Sequence, residues 1–498
     1  MVKLEDIAGL GLLQAPSGKP SEALTRSSSS YRSLDTFALP KERRYQQQFA
    51  DIYFLRLTKI KPAVEQIAHE AWEETVLGGE NAKKVERVLD VRQGELCWVA
   101  GTVFMDMPLK PSILEDVSKD RWISAPTSVD HYYSEDGRDQ VMLEDDSGRI
   151  RLVGEPLKDY FLVTGCIIAV MGTENANGEF EVIDLKFADL PPQPPRWALS
   201  DKKIKSEDVS MSDPDTPSKK IAIVSGLEFS GTSTAYTTEL SLLLSYLLGD
   251  SLDPATQSQE QSKISRLIIA GNSIAESASS DPHSNNPSTK THTKKYGYDA
   301  SSYNPLPSQL FDSFLSTLLP TMSITLLPGA NDPANVSYPQ QPIHSAMFPQ
   351  SRLYGPTPTH PDEPGWLDAT TNPSESEIDG WRVLGTSGQN LDDICKYMDS
   401  PDRLGLMEAM CRWRCSAPTA PDTLWSYPFQ DDEPFVMKEC PHLYFVGSQP
   451  EFNTKVIEGP EGQMVRLVLV PKFSETKEVV LVDTETLEVS KVRIGTRS

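Results

Sequence analysis

Three short apolar runs, each ending in a turn that contains glycine, constrain the fold of this chain most strongly. They are KKIAIVSGLEF (219–229), SRLIIAGNS (265–273) and SITLLPGAND (323–332). Each has about four β-favouring residues and is apolar on both faces, as is typical of a buried strand in an α/β sheet. The segment between the first two runs carries leucines on one helical face: Leu240, Leu243, Leu244, Leu247 and Leu248. This order predicts a βαβ unit, whose loops meet at the carboxyl edge of the sheet, where open α/β folds place their chemistry.

An all-β segment precedes this region. The stretches GELCWVAGTVFMDM (94–107) and QVMLEDDSGRIRLVG (140–154), with two further strands around Asn177-Gly178, predict five short strands. Five such strands are typical of a small Greek-key barrel of the OB type. OB barrels bind single strands through exposed aromatic and basic residues, and the sparse candidates here lie among acids: Trp98, Phe104, Arg149 and Arg151. A structural or protein-docking barrel is the alternative.

Composition shifts divide the chain into five parts. We expect a disordered N-terminus (1–30), N-terminal packing helices (31–80), an OB-fold domain (81–196), a linker (197–219) and an α/β domain (220–498). Pro62 is expected to open the second of the packing helices. In the last domain, late strands supply a second sheet and make a two-sheet sandwich, and polar insertions near 250–262 and 273–302 are expected to be mobile.

Charge and cysteine content exclude several functions. The chain has 71 acidic residues against 47 Lys and Arg, a net charge of −24, whereas a protein held to DNA by its own surface is usually basic. The six cysteines form no CxxC pair. Cys411 and Cys415 have the spacing of two metal ligands on a helix, but no second pair accompanies them, so buried reduced thiols are favoured. No apolar stretch is long enough to span a bilayer, which predicts a soluble intracellular protein.

The strands and their glycine turns resemble the calcineurin-like metallophosphoesterase fold. Active members place D-x-H, G-D-x-x-D and G-N-H-D/E after the first three strands and end in G-H-x-H. Carboxylates and imidazoles at these positions hold two divalent metals that activate water. In this chain Ser225 and Leu227 replace the first motif, and no carboxylate follows Asn272 at the bridging position.

The remaining loops depart from the pattern in the same way. Asn331 stands in the place of histidine, Asp332 is the one carboxylate left, and Ser448 and Pro450 replace the two final histidines. The resemblance therefore implies a catalytically inactive phosphoesterase sandwich without catalytic residues, metal or cofactor. Its vestigial loop positions are Ser225, Leu227, Asn272, Asn331, Asp332, Ser448 and Pro450.

An inactivated phosphoesterase sandwich joined to an OB barrel is similar to the B-subunit family of eukaryotic replicative DNA polymerases. The blocks YRSLDTFALPKERRYQQQFADIYFLRL and GTVFMDMPLKPSILEDVS, with LEDDSGRIRL, LLPGANDP and APTAPDTLWSYPF, resemble the delta branch of that family from residue 31 onward. This resemblance implies a non-catalytic nuclear scaffold in DNA replication and repair. Its partners would be the Cys-rich C-terminal domain of the delta catalytic subunit, the third delta subunit and translesion polymerase zeta, with DNA contacted only indirectly or weakly.

Two other functions stay open from the residues alone. An active metallophosphoesterase could recruit atypical ligands from His344, His360 or His442. The OB barrel could alternatively serve as a single-strand-binding module.

Overall fold

The computed structural model describes residues 26–43, 49–77, 79–111, 130–196, 219–250, 260–275, 304–357 and 365–495. Several expectations from the sequence lie outside these described residues, namely those for 1–25, 197–218, 251–259, 276–302 and His360. In the part of the chain that is described, no helix is long and apolar enough to cross a bilayer.

The helices and strands are numbered here in chain order. The helices are α1 (Ala50–Trp72), α2 (Thr234–Leu248), α3 (Leu306–Leu318), α4 (Gln389–Cys395), α5 (Arg403–Arg412) and α6 (Phe473–Thr476). The first strands are β1 (Tyr31–Ser33), β2 (Val76–Leu77), β3 (Glu80–Asn81), β4 (Lys83–Lys84), β5 (Cys97–Asp106), β6 (Gln140–Glu144), β7 (Arg149–Val153), β8 (Ile167–Glu174) and β9 (Glu179–Lys186). The later strands are β10 (Lys220–Val224), β11 (Ile264–Ala270), β12 (Ser323–Leu327), β13 (Leu367–Ala369), β14 (Ser374–Ile378), β15 (Trp381–Thr386), β16 (Leu443–Gln449), β17 (Asn453–Glu458), β18 (Met464–Pro471), β19 (Glu478–Asp483) and β20 (Val489–Arg493).

A closed barrel forms the N-terminal β segment. Its strands follow the order β4-β5-β6-β7-β9-β8, and β5 pairs with β8 as well as β6, which closes the sheet on itself. Strand β7 pairs with β9 in parallel, whereas β8 and β9 are antiparallel. The turn between β6 and β7 is fixed by the Asp145 carboxylate, which accepts from the N–H groups of Ser147 (2.8 Å) and Gly148 (3.1 Å). This order agrees with the predicted Greek-key barrel of the OB type.

One helix, α1, takes the place of the two predicted packing helices. Pro62 lies inside it, on the exposed side. A proline in a helix interior removes one backbone hydrogen bond and crowds the preceding turn, and for that reason the sequence predicts a break. The break does not occur because a stripe with a four-residue repeat is buried on both sides of Pro62: Ile52, Arg56, Ile60, Val64, Ala68 and Trp72. The lower half of this stripe packs on strands β5 and β8 of the barrel.

Two six-stranded sheets form the C-terminal part of the chain. The first has the order β13-β12-β11-β10-β19-β20, with β10, β11 and β12 parallel, and the second has the order β1-β14-β15-β16-β18-β17. A cluster of apolar side chains from both sheets, including Ile223, Ile268, Phe445 and Val468, fills the space between them. Helix α2 connects β10 to β11 and buries three of the predicted leucines, which confirms the βαβ unit.

Several elements were not predicted from the sequence. Helix α3 makes the second crossover, from β11 to β12, and buries Phe311, Phe314 and Leu315. Strands β13 and β14 lie in or beside the Pro-rich region, for which the sequence predicts no regular structure. Strand β14 reads SESEI, a polar pattern that is atypical of a strand, and it becomes one because β15 and β1 pair with its two edges.

The segment before α1 crosses both sheets. Residues 26–30, which we expected to be disordered, make defined contacts instead. The Arg26 guanidinium donates to the carbonyl of Leu247 (2.7 Å), and the Ser30 N–H donates to the Asp379 carboxylate (2.8 Å). Strand β1 then pairs with β14, and Phe37 is buried against the ring of Phe435. These long-range partners could not be read from a serine-rich sequence.

Candidate functional site

The loops after β10, β11, β12, β15 and β16 converge at one edge of the sandwich, as the sequence predicts for parallel strands. Their glycines permit backbone contact: a Cβ atom on Gly329 would lie 2.2 Å from the amide nitrogen of Asn272. Gly271 has φ +79°, and a Cβ atom there would lie 2.3 Å from the Cβ atom of Ser387. The loops therefore pack directly on one another.

Three of the predicted positions meet at the centre of this loop cluster. The Ser225 hydroxyl donates to the carbonyl of Ala270 (2.6 Å) and accepts from the Ser448 N–H (2.8 Å). The Asn272 side-chain amide donates to the Ser448 hydroxyl (2.9 Å). All three side chains are buried and uncharged, so the place where the metallophosphoesterase pattern has ligands holds a neutral hydrogen-bonded network.

Asp332 has a structural role at the edge of this network. Its two carboxylate oxygens accept from the N–H groups of Ile274 (2.9 Å) and Gly329 (2.8 Å), which ties the second loop to the third. Burial raises the pKa of Asp332 to about 6, although backbone N–H donors oppose the shift. The carboxylate points at backbone and is fully paired, so it is not presented to a ligand.

The raised pKa of Asp332 predicts an unusual pH dependence of stability. Between the unfolded value of 3.8 and the folded value of about 6, the native state binds more protons than the unfolded state. The contribution of this group is therefore complete at low pH and is lost as pH rises through about 6. We expect the free energy of unfolding of the wild type, relative to Asp332→Asn, to fall across this window in urea melts.

Asp145 in the barrel turn provides the matched control. Burial alone would raise its pKa, but hydrogen bonds from Ser147 and Val88 outweigh that effect and lower the pKa below the usual value. Its stabilising contribution is lost only as pH falls below about 4. Asp145→Asn should accordingly give a difference from wild type that is constant between pH 5 and 7. If Asp332→Asn gave the same constant difference, Asp332 would be ionised normally.

Three predicted positions lie apart from the network. Leu227 is buried in the core between the first sheet and helices α2 and α3. The side chains of Asn331 and Pro450 face solvent, and Asn331 joins the cluster only through its backbone N–H, which donates to the Asn272 side-chain oxygen (3.1 Å).

A second polar network beside the first was missed at the sequence level. The Asn372 side-chain amide donates to the side-chain oxygens of Gln340 and Gln389 (both 2.9 Å), and the Ser387 N–H donates to the Asn372 oxygen (3.0 Å). The Gln340 amide in turn donates to the Gly329 carbonyl (3.0 Å). Gln340 and Asn372 sit in Pro-rich segments whose only signal was the glycine loop they support.

The arrangement offers no visible metal chemistry. Among the residues that the structure describes, no group of three or more His, Cys, Asp or Glu side chains could hold a metal ion. Cys411 and Cys415 are both buried, and burial raises the pKa of Cys415 to about 12, so the thiol is protonated at neutral pH.

The two described histidine candidates also lie away from the loops. The His344 imidazole accepts from the N–H of Ala346 and caps a short helical turn. His442 precedes β16, whereas the loop cluster follows it; a strand of seven residues separates the two by about 20 Å.

The nucleic-acid candidates of the barrel are largely occupied. The Trp98 ring is buried against Trp72 of α1. Arg149 pairs with Glu144 and Arg151 pairs with Glu179 (both 2.9 Å). Phe104 is half-buried, with the guanidinium of Arg149 4.1 Å from its ring centre. A stacking platform of aromatic side chains is therefore not assembled by these residues.

Comparison with known proteins relates both halves of the chain to replicative polymerases. Residues 48–185 match the family described as the DNA polymerase delta subunit OB-fold domain. Residues 221–454 match the family described as the DNA polymerase alpha/epsilon B-subunit. The first match coincides with α1 and the barrel, and the second with the two sheets.

Whole-length relatives agree with these matches. The chain is 34% identical to the DNA polymerase delta small subunit of Arabidopsis thaliana, over 95% of this chain and 97% of that protein. It is 32% identical to the Saccharomyces cerevisiae DNA polymerase delta small subunit, with 91% of each chain covered. It is also 32% identical to the Drosophila melanogaster DNA polymerase delta subunit 2, with 94% of this chain and 98% of that protein covered. The chain therefore belongs to the family of DNA polymerase delta small subunits, which are accessory subunits of that polymerase.

Proposed function

We propose that this chain is a non-catalytic scaffold of the nuclear polymerase delta holoenzyme, built on an inactivated calcineurin-like phosphoesterase sandwich. It holds the Cys-rich C-terminal domain of the catalytic subunit and bridges it to the third subunit. Translesion polymerase zeta uses the same scaffold, and DNA is contacted only indirectly or weakly.

The observation that carries this proposal is the filled loop cluster. A two-metal centre needs carboxylates and neutral imidazoles that face an open space between the loops. Here Ser225, Asn272 and Ser448 bond to one another instead, and a Cβ atom has no room at Gly271 or Gly329. The loops keep their structural function of joining strands while the catalytic one is absent.

A second observation supports a scaffold that presents barrel and sandwich together. Arg56 of α1 is completely buried and donates to the carbonyl of Ala420 (2.8 Å) and to the carboxylate of Glu433 (3.1 Å), both in the C-terminal part. On the barrel side, a Cβ atom on Gly165 would lie 2.0 Å from the Pro418 carbonyl oxygen. Helix, barrel and sandwich thus meet in one packed junction, which suits a surface that spans both domains.

Co-expression with the C-terminal domain of the delta catalytic subunit tests the proposal. We expect a stoichiometric complex that survives size-exclusion chromatography at high salt, because interfaces of obligate subunits depend on apolar burial more than on charge. The purified chain alone should contain no equivalent of Mn, Fe or Zn and should not hydrolyse a phosphodiester substrate. Separate elution of two folded partners would refute the scaffold function.

Asn331→Ala serves as the matched variant for the alternative enzyme hypothesis. Its side chain faces solvent, so the substitution should leave stability, metal content and complex formation unchanged. Two equivalents of a divalent metal with turnover that falls in Asn331→Ala would instead identify an active phosphoesterase.

A further inference from the structure

A cavity of about 550 Å³ lies at the end of the sandwich opposite the loop cluster. Its walls include the start of β15, the residue before β16, the start of β18, and the turn between β19 and β20. The segment Pro192–Pro195 forms one side and is held there by Gln193, whose side chain exchanges two hydrogen bonds with the backbone of Met464 (2.7 and 3.0 Å). The volume is in the range of pockets that bind ligands.

Arg466 is the notable residue of this cavity. Side chains alternate along β18, and Arg466 falls on the same face as Val468 and Val470, which belong to the apolar core between the two sheets. Its Nε atom is buried and has no hydrogen-bond partner among the described residues. A buried cationic group is costly unless it is paired, so Arg466 is set up to receive an acceptor.

The neighbouring charged groups are already paired. Arg196 donates to Glu485 (3.2 Å) and lies over the ring of Trp381, 4.3 Å from its centre. The His442 imidazole accepts from the Arg382 N–H (3.1 Å), and burial lowers its pKa, so it is neutral at pH 7. Glu461, on the rim, accepts from the Gln463 side chain (3.4 Å).

The rest of the lining is apolar, from Pro192, Pro194, Val456, Met464 and Leu487. One guanidinium amid apolar walls suits one carboxylate with an apolar body around it, through a bidentate pair. A nucleic-acid strand brings one negative charge with each nucleotide and would meet Glu461 and Glu485 on the rim, in a chain whose net charge is −24. The charge pattern therefore favours a peptide carboxylate.

We propose that this cavity binds an extended segment of a partner protein that presents one aspartate or glutamate between apolar residues. The carboxylate pairs with the guanidinium of Arg466, and the flanking side chains cover Met464 and Leu487. The site is independent of the loop cluster, because it lies at the opposite ends of strands β16 and β18.

Peptide pools test this site on the full chain. Fluorescein-labelled peptides with a fixed central Leu-Asp-Leu or Leu-Asn-Leu and random flanks are titrated with the protein, and binding is followed by anisotropy. We expect the Asp pool to bind and the Asn pool to bind at least about tenfold more weakly, since hydrogen bonds to charged groups contribute about 1.5–3 kcal/mol. Arg466→Met should remove this preference, and Arg466→Lys should retain part of it.

Arg493→Met is the charge-matched control. Arg493 is exposed at the far end of the β19–β20 hairpin from the cavity, so its loss changes net charge equally without touching the site. It should leave binding of the Asp pool unchanged, and thermal melting should confirm that Arg466→Met stays folded. Equal binding of both pools, absence of binding, or a preference that survives Arg466→Met overturns the proposal. Displacement by a single-stranded oligonucleotide at equal charge concentration would overturn the assignment to a peptide.

Discussion

Arg56→Met is expected to lower the free energy of unfolding by about 3 to 5 kcal/mol, the cost of leaving a buried charge without its partner. Both Arg56 and Glu433 have fully buried side chains, and the pair joins α1 to the C-terminal part of the chain. Burial already raises the pKa of Glu433 even though Arg56 opposes the shift. Without Arg56 the pKa rises further, so the stability of the variant should fall as pH rises through it. Urea melts at pH 5 and pH 7.5, followed by tryptophan fluorescence, measure both effects.

Lys59→Met on the same helix provides the matched control. Lys59 pairs with Asp432, but both side chains are partly exposed, and such pairs contribute at most about 1 kcal/mol. The double variant Arg56→Met/Glu433→Leu should recover part of the loss, because both charges are then absent, although the Ala420 and Pro418 carbonyls lose their donor. A loss for Arg56→Met no larger than that for Lys59→Met would mean that the junction does not depend on this pair.

Gly271→Ala is expected to destabilise the loop cluster by on the order of 3 kcal/mol, from two separate causes. At φ +79° a non-glycine residue pays roughly 1–2 kcal/mol of backbone strain. The added methyl group would also lie 2.3 Å from the Cβ atom of Ser387 and 2.9 Å from the Cα atom of Gly329, and overpacking of this kind costs about 1–3 kcal/mol. Thermal and urea unfolding of the purified chain measure the sum.

Gly178→Ala, in the turn between β8 and β9, separates the two causes. Gly178 has φ +75°, but the nearest atom to its added Cβ would be the Glu174 carboxylate at 3.8 Å, an ordinary contact. Only the backbone term of roughly 1–2 kcal/mol should appear. Equal losses for the two variants would show that the loops can move apart, and that the close packing at Gly271 does not contribute.

Elements whose patterns are local could be predicted from the amino-acid sequence. Apolar runs on both faces marked β10, β11 and β12 as buried parallel strands, and leucines at helical spacing marked α2, because burial on both faces and on one stripe leave distinct periodicities. Glycine turns located the loop cluster, and the missing His and Asp residues predicted that it would not form a two-metal centre. Long, specific blocks of residues carried the family resemblance, which the whole-length relatives confirm.

Features that depend on distant partners emerged only in the folded chain. Pro62 predicts a helix break locally, yet the stripe from Ile52 to Trp72 packs on the barrel and keeps α1 continuous. Strand β14 is polar and becomes a strand only through its two neighbours. The Arg56–Glu433 pair joins residues 377 positions apart, and Arg466 looks like any surface arginine until β18 places it among core positions. Hydrogen bonding and burial across such separations leave no periodicity in the sequence, because the partner that satisfies each group is chosen by the packing of the whole chain.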